Sequence, residues 1–125
     1  MPFPRLALPA AALLVVALGG CTPKAAPAGS GAVTVTASDH DCTLSATSIR
    51  SGTTTFTVKN TGSTVTEFYL TAGSKTLGEV ENVGPGVSRT LSIALQPGTY
   101  ATLCKPGMTG NGVGRTTLRV TDGGT

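Results

Sequence analysis

Strict alternation of apolar and polar residues, interrupted by turns rich in glycine and proline, is the feature that most limits what this chain can fold into. Val33 and Val35 alternate with Thr34 and Thr36, and Phe56 and Val58 with Thr55 and Thr57. Leu91, Ile93 and Leu95 alternate with Thr90, Ser92 and Ala94, and Leu118 and Val120 with Thr117 and Arg119. A side-chain period of two belongs to strands with one face on a core and the other in water. Turn residues punctuate the pattern at Ser51-Gly52, Asn60-Thr61-Gly62, Ala72-Gly73-Ser74, Gly84-Pro85-Gly86, Pro97-Gly98 and the stretch from Pro106 to Gly114. Strands are expected at about 32–38, 43–49, 53–59, 65–71, 76–82, 88–95, 99–104 and 114–121. No segment offers a helical period over three turns. Eight short strands at this spacing make an all-β sandwich, with Phe56, Val58, Leu91, Ile93, Leu118 and Val120 inside. The Pro97-Gly98-Thr99-Tyr100 turn has the form of a tyrosine corner.

Composition narrows the function classes. The 125 residues hold 22 threonines and 17 glycines, which suit pleated surfaces and turns. The net charge of +3 is spread out, with no Lys/Arg run and no interleaved aromatics, so nucleic-acid binding has no basis. No Ser/His/Asp or paired-carboxylate constellation is present, and one His offers little acid–base capacity. The chain does not read as an enzyme.

The first 20 residues read as an export address. Arg5 precedes an uncharged stretch from Leu6 to Leu18, too short to span a bilayer but right for a signal-peptide core. It ends in Leu18-Gly19-Gly20-Cys21, which resembles the bacterial lipobox, in which the Cys is acylated and becomes the new N-terminus. The expectation is a lipoprotein held by Cys21 at the cell envelope, outside the cytoplasm. Residues 21–31, with Pro, Gly, Ala and Ser, read as a tether, 32–121 as the folded domain and 122–125 as a tail.

Two cysteines then remain, Cys42 and Cys104. A pair in an exported domain is by default a disulfide, yet the flanking residues also suit a metal. Cys104 precedes Lys105-Pro106-Gly107-Met108, Cys42 follows Asp39-His40-Asp41, and Glu67 opens an otherwise apolar strand. If each connection reverses the chain, the loops after alternate strands share one end of the sandwich. Cys42, Cys104, His40, Glu67 and Met108 then meet at one pole. Thiolate, thioether and imidazole are ligands for copper, and carboxylate tolerates copper or iron. Each residue has a plainer role: a structural disulfide for the cysteines, loop packing for Met108, a solvated loop for His40 and an exposed polar face for Glu67.

The runs Asn60 to Leu70, Glu81-Asn82-Val83-Gly84-Pro85-Gly86 and Leu95-Gln96-Pro97-Gly98-Thr99-Tyr100 to Cys104 resemble the EfeO-type cupredoxin-like domain. The segment from Gly98-Thr99-Tyr100 through Cys104, Pro106-Gly107, Met108 and Gly110 also resembles the copper-ligand loop of blue-copper cupredoxins. The resemblance covers residues 32–121 and implies a cupredoxin-like Greek-key sandwich. It also implies a metal site at Cys42, Cys104, Glu67 and Met108, with copper as the first metal and iron as the second. Glu67 stands where blue-copper proteins place the first His ligand, and the second His is absent. That departure argues against a blue electron-transfer site. The large helical iron-scavenging region of the full-length uptake protein has no counterpart in this sequence, so iron transport as such does not carry over. Two functions stay open: a lipid-anchored metal-binding module that serves a membrane metal transporter, and a metal-free interaction module closed by a Cys42–Cys104 disulfide.

Overall fold

The computed structural model describes residues 31–123, and the expected signal segment and Cys21 lie outside them. Nine strands form: β1 (Ala32–Ala37), β2 (Cys42–Leu44), β3 (Ser48–Arg50), β4 (Gly52–Asn60), β5 (Thr66–Ala72), β6 (Lys75–Val83), β7 (Ser88–Leu95), β8 (Gly98–Cys104) and β9 (Val113–Thr121). They pack as two sheets, one in the order β2-β1-β4-β7 and the other β3-β9-β8-β5-β6. The only helical piece among the described residues is a single 3-10 turn at Pro106–Met108. The all-β sandwich expected from the alternation is the fold observed.

One expected strand is two. Residues 43–49 divide into β2 and β3, which belong to different sheets. The hydrogen bonds show where the hand-over occurs. Ser45 N donates to the Thr34 carbonyl on β1, whereas the Thr47 carbonyl accepts from Arg119 N on β9. Ser45 Oγ also accepts from Thr34 N, which ends the β1 pairing with a side chain. Three residues thus carry the chain from the edge of one sheet to the edge of the other.

The core follows from the alternation. Val33 and Val35 on β1, Phe56 and Val58 on β4, Phe68 and Leu70 on β5, and Leu118 and Val120 on β9 are all buried. The Phe56 and Phe68 rings meet across the two sheets with centroids 5.6 Å apart. Full burial of each ring is worth about 1.5–3 kcal/mol. Leu91 and Ile93, expected inside, are only partly buried. They sit on edge strand β7 against Gly78 of β6, where an added Cβ would lie 2.8 Å from Leu91 Cδ2. The absent side chain at Gly78 lets the two edge strands approach, and β7 has no further strand to cover it. Tyr100 makes the expected corner, its hydroxyl donating to the Gln96 carbonyl at 2.6 Å.

Strand direction sets out the two poles. β1 and β4 run parallel, β7 runs against β4, and β8 runs against both β5 and β9. The loops after β1, β4, β6 and β8 therefore share one end, as the reversal argument requires. The start of β1 and the end of β9 lie at the other.

Candidate metal centre at the disulfide pole

Four loops are knitted together at this pole by side chains. Asn60, 3% exposed, ends β4 and holds two of them. Its Nδ2 donates to the Thr64 carbonyl at 2.7 Å and to the Val83 carbonyl at 2.8 Å, and its Oδ1 accepts from Gly62 N. The Asn60 backbone adds bonds from Gly86 N and to the Val87 carbonyl. Asp39 ties the first loop to the second, accepting from Ser63 N at 2.8 Å and Ser63 Oγ at 2.7 Å. Those donors hold the Asp39 carboxyl below its usual range. Gly62 lies so close to Asp39 that any side chain there would collide with the carboxylate.

Cys42 opens β2 and Cys104 closes β8, so the bond between them joins the two sheets. The two are linked as a disulfide with Cα atoms 5.5 Å apart, and both residues are buried. Gly114 makes this approach possible: its φ is +63°, and a Cβ would stand 2.6 Å from Cys42 Cβ. Of the two fates left open for the cysteines, the structure carries the disulfide. In that form neither sulfur is a thiolate.

Glu67 keeps other company. Phe68 pairs in register with Cys104 and is fully buried, so alternation turns Glu67 and Tyr69 to the outer face of their sheet. Glu67 is nonetheless only 6% exposed, and its Oε2 accepts from the Tyr69 hydroxyl at 2.6 Å. Lys105 Nζ lies 4.7 Å above the Tyr69 ring. The bond to Glu67, then burial, then the nearby carboxylates push the Tyr69 phenol up to about 12. Glu67 is not the exposed strand residue of the plainer reading. It is a nearly buried carboxylate spent on a phenol.

Met108 is exposed at the end of the 3-10 turn, not packed. Its φ of +59° follows +71° at Gly107, a left-handed pair that costs an ordinary residue about 1–2 kcal/mol. Gly107 N fastens the turn to the Val65 carbonyl at 2.7 Å, and Met108 N donates to the Lys105 carbonyl at 2.9 Å. His40 is exposed in the first loop. Among the described residues, no group of three or more His, Cys, Asp or Glu side chains is placed to hold an ion.

The ligand set expected from the sequence thus shares a pole but does not converge in the disulfide form. The cysteine sulfurs are bonded to each other, Glu67 is turned to Tyr69, and Met108 faces solvent. Reasoning from sequence missed Tyr69 and Asn60. The spacing of Glu67 and Tyr69, two apart on one strand, was the available signal for the first. For Asn60 the signal was its place at a strand end before Thr61-Gly62.

The model of the cupredoxin-like domain family matches residues 10–114. The chain belongs to that family. It is an EfeO-type cupredoxin-like domain. The iron uptake system component EfeO of Yersinia pestis is 31% identical over 91 residues, which cover 73% of this chain and 24% of that protein. EfeO of Escherichia coli strain K12 is 32% identical over 72 residues, covering 58% of this chain and 19% of its own length. The chain therefore spans about a quarter or less of these relatives. Among solved structures, dithionite-reduced auracyanin from Roseiflexus castenholzii superposes with a TM-score of 0.55 at 17% identity. That match covers 73% of this chain and 97% of auracyanin, and it bears on the fold alone.

Proposed function

We propose that this chain is a membrane-tethered, extracytoplasmic accessory module of a transition-metal uptake system, anchored through acylated Cys21. It rests with Cys42–Cys104 closed and takes its metal cargo in the dithiol form. The observation that carries the reading is the sulfur pair itself, a link between the two sheets at the pole where the copper-loop resemblance falls. Reduction by an envelope dithiol adds two electrons and two protons across the S–S bond and oxidises the donor to its own disulfide. The two thiols then stand at neighbouring Cα positions, and deprotonated they fit a soft ion. Copper is the first cargo on that chemistry and iron the second. Met108 on the covering loop supplies a further donor, while Glu67, on the outer face of its strand, stays with the Tyr69 hydroxyl. The name of the EfeO relatives supports metal uptake as the setting, and a membrane metal transporter is the assigned recipient.

A second reading is favoured by the same bond and by the Glu67–Tyr69 pair. If the disulfide persists in the envelope, the module is metal-free and acts through its surface. Titration with copper, with and without a thiol reductant, separates the two. The first reading expects binding only after reduction, weakened by Met108→Ala and unchanged by Glu67→Ala. Equal affinity in both states excludes the cysteines as ligands, and no binding in either leaves the metal-free module.

A further inference from the structure

We infer that, on the redox reading proposed above, Thr102 positions the sulfur pair: its buried hydroxyl is the hydrogen-bond partner of Cys104 Sγ in the dithiol form. Two side-chain hydroxyls are buried without a hydrogen-bond partner among the described residues, Thr54 Oγ1 and Thr102 Oγ1. Both residues are 0% exposed. A buried hydroxyl without a partner costs free energy, and Val fills nearly the same outline without that cost. Thr in such a place therefore calls for a reason. For Thr102 the neighbouring sulfur supplies one.

Register places the hydroxyl. On β8, Thr102 pairs with Leu70 and Cys104 with Phe68, and both partners are fully buried on β5. Thr102 and Cys104 therefore share the inner face of their sheet, about 7 Å apart along the strand. A hydroxyl and a freed Sγ turned toward each other close that span to hydrogen-bond distance. The hydroxyl next to Thr102 is already taken: Thr116, its partner on β9, donates Oγ1 to the Gly114 carbonyl at 3.0 Å. In the disulfide, Cys104 Sγ is held to Cys42 and offers only a weak acceptor. Reduction breaks that bond, each sulfur takes one electron and one proton, and the Cys104 side chain regains its choice of rotamer. The thiol then both donates and accepts, and a metal-bound thiolate accepts more strongly still. The orphaned hydroxyl gains its partner in that state. Thr54 has no such neighbour. It pairs with Ile93 and lies on β4 about 20 Å short of Asn60, at the far end from the sulfurs.

Redox equilibration of the full-length protein in detergent tests the assignment. Mixtures of reduced and oxidised dithiothreitol set the balance, the reagent closing to its cyclic disulfide as Cys42–Cys104 opens. Alkylation followed by mass spectrometry counts the free thiols. Thr102→Val and Thr102→Ala both lack the hydroxyl and should lower the dithiol-to-disulfide ratio about tenfold at a given mixture. Thr102→Ser should keep the wild-type ratio. Thr54→Val should raise thermal stability in both states alike and leave the ratio where it was, which separates a sulfur partner from a merely costly core hydroxyl. An unchanged ratio in Thr102→Val and Thr102→Ala overturns the assignment, since a hydroxyl served by water in both states gives that result. A wild-type disulfide that opens only on unfolding overturns the redox reading and the assignment together. A dithiol form that shows the Thr102 effect but takes no copper leaves the assignment standing and removes the metal cargo.

Discussion

The two ends of this sandwich are closed by different means. At the end where β1 begins and β9 finishes, backbone and single side chains suffice. Ser51 N bonds the Thr121 carbonyl, Gly123 N bonds Ser51 Oγ, Gly73 takes a positive φ in the β5–β6 turn, and Tyr100 caps Gln96. At the other end a disulfide, the Asn60 clamp, the Asp39–Ser63 bracket and the Glu67–Tyr69 pair fix four loops to one another. Polar groups so heavily committed do not follow from what a sandwich needs to close. They hold a loop surface in one shape. On the proposed function, the disulfide pole is the working end and the opposite pole the mount.

The comparison can be broken most forcefully at the sulfur bridge. The disulfide spans 62 residues of chain, and in the chain-entropy account such a closure stabilises by about 4 kcal/mol. Replacing both cysteines by Ala should lower the stability in urea unfolding by roughly that amount. Asn60→Ala comes next. It leaves the buried Val83 carbonyl and the part-buried Thr64 carbonyl without their donor, a loss of about 2–4 kcal/mol. On the mounting pole, Tyr100→Phe removes one hydrogen bond to an exposed turn and should cost about 1 kcal/mol. If Tyr100→Phe proves as damaging as Asn60→Ala, the contrast between the poles fails.

The subtlest test is titration. The Tyr69 phenol is held up to about 12 by Glu67, against an ordinary value of 10.0. A group whose folded pKa is raised contributes stability fully below its unfolded value and loses it as pH climbs through the folded one. Unfolding free energy should therefore fall between pH 10 and about pH 12. Glu67→Gln should return the phenolate absorbance transition toward 10 and remove that fall. An unshifted transition would mean that Glu67 does not hold the phenol.

Much of the mount, and of the strands between the poles, could be read from the alternation. Phe56, Val58, Leu118 and Val120 point inward because side chains alternate faces without exception along a regular strand. The alternation could not show that β7 ends a sheet, so Leu91 and Ile93 came out drier in expectation than in fact. Nor could it reveal the break at Ser45–Thr47, which depends on pairing with β1 and β9 rather than on any local turn signal. At the working pole, chain reversal alone brought Cys42 and Cys104 together. Which face Glu67 takes depends on its register against Lys105 and Cys104, a long-range fact that residue type does not encode. The partner that takes the carboxylate in this structure, Tyr69, lies two residues along the same strand.

The central claim is that the state of one sulfur pair governs whether this pole holds metal. Native mass spectrometry of the protein extracted from membranes, before and after mild thiol reduction in the presence of copper, tests it most directly. The account predicts a metal-free disulfide form and a dithiol form carrying one bound ion. An ion retained with the disulfide intact, or no ion in either state, would contradict it.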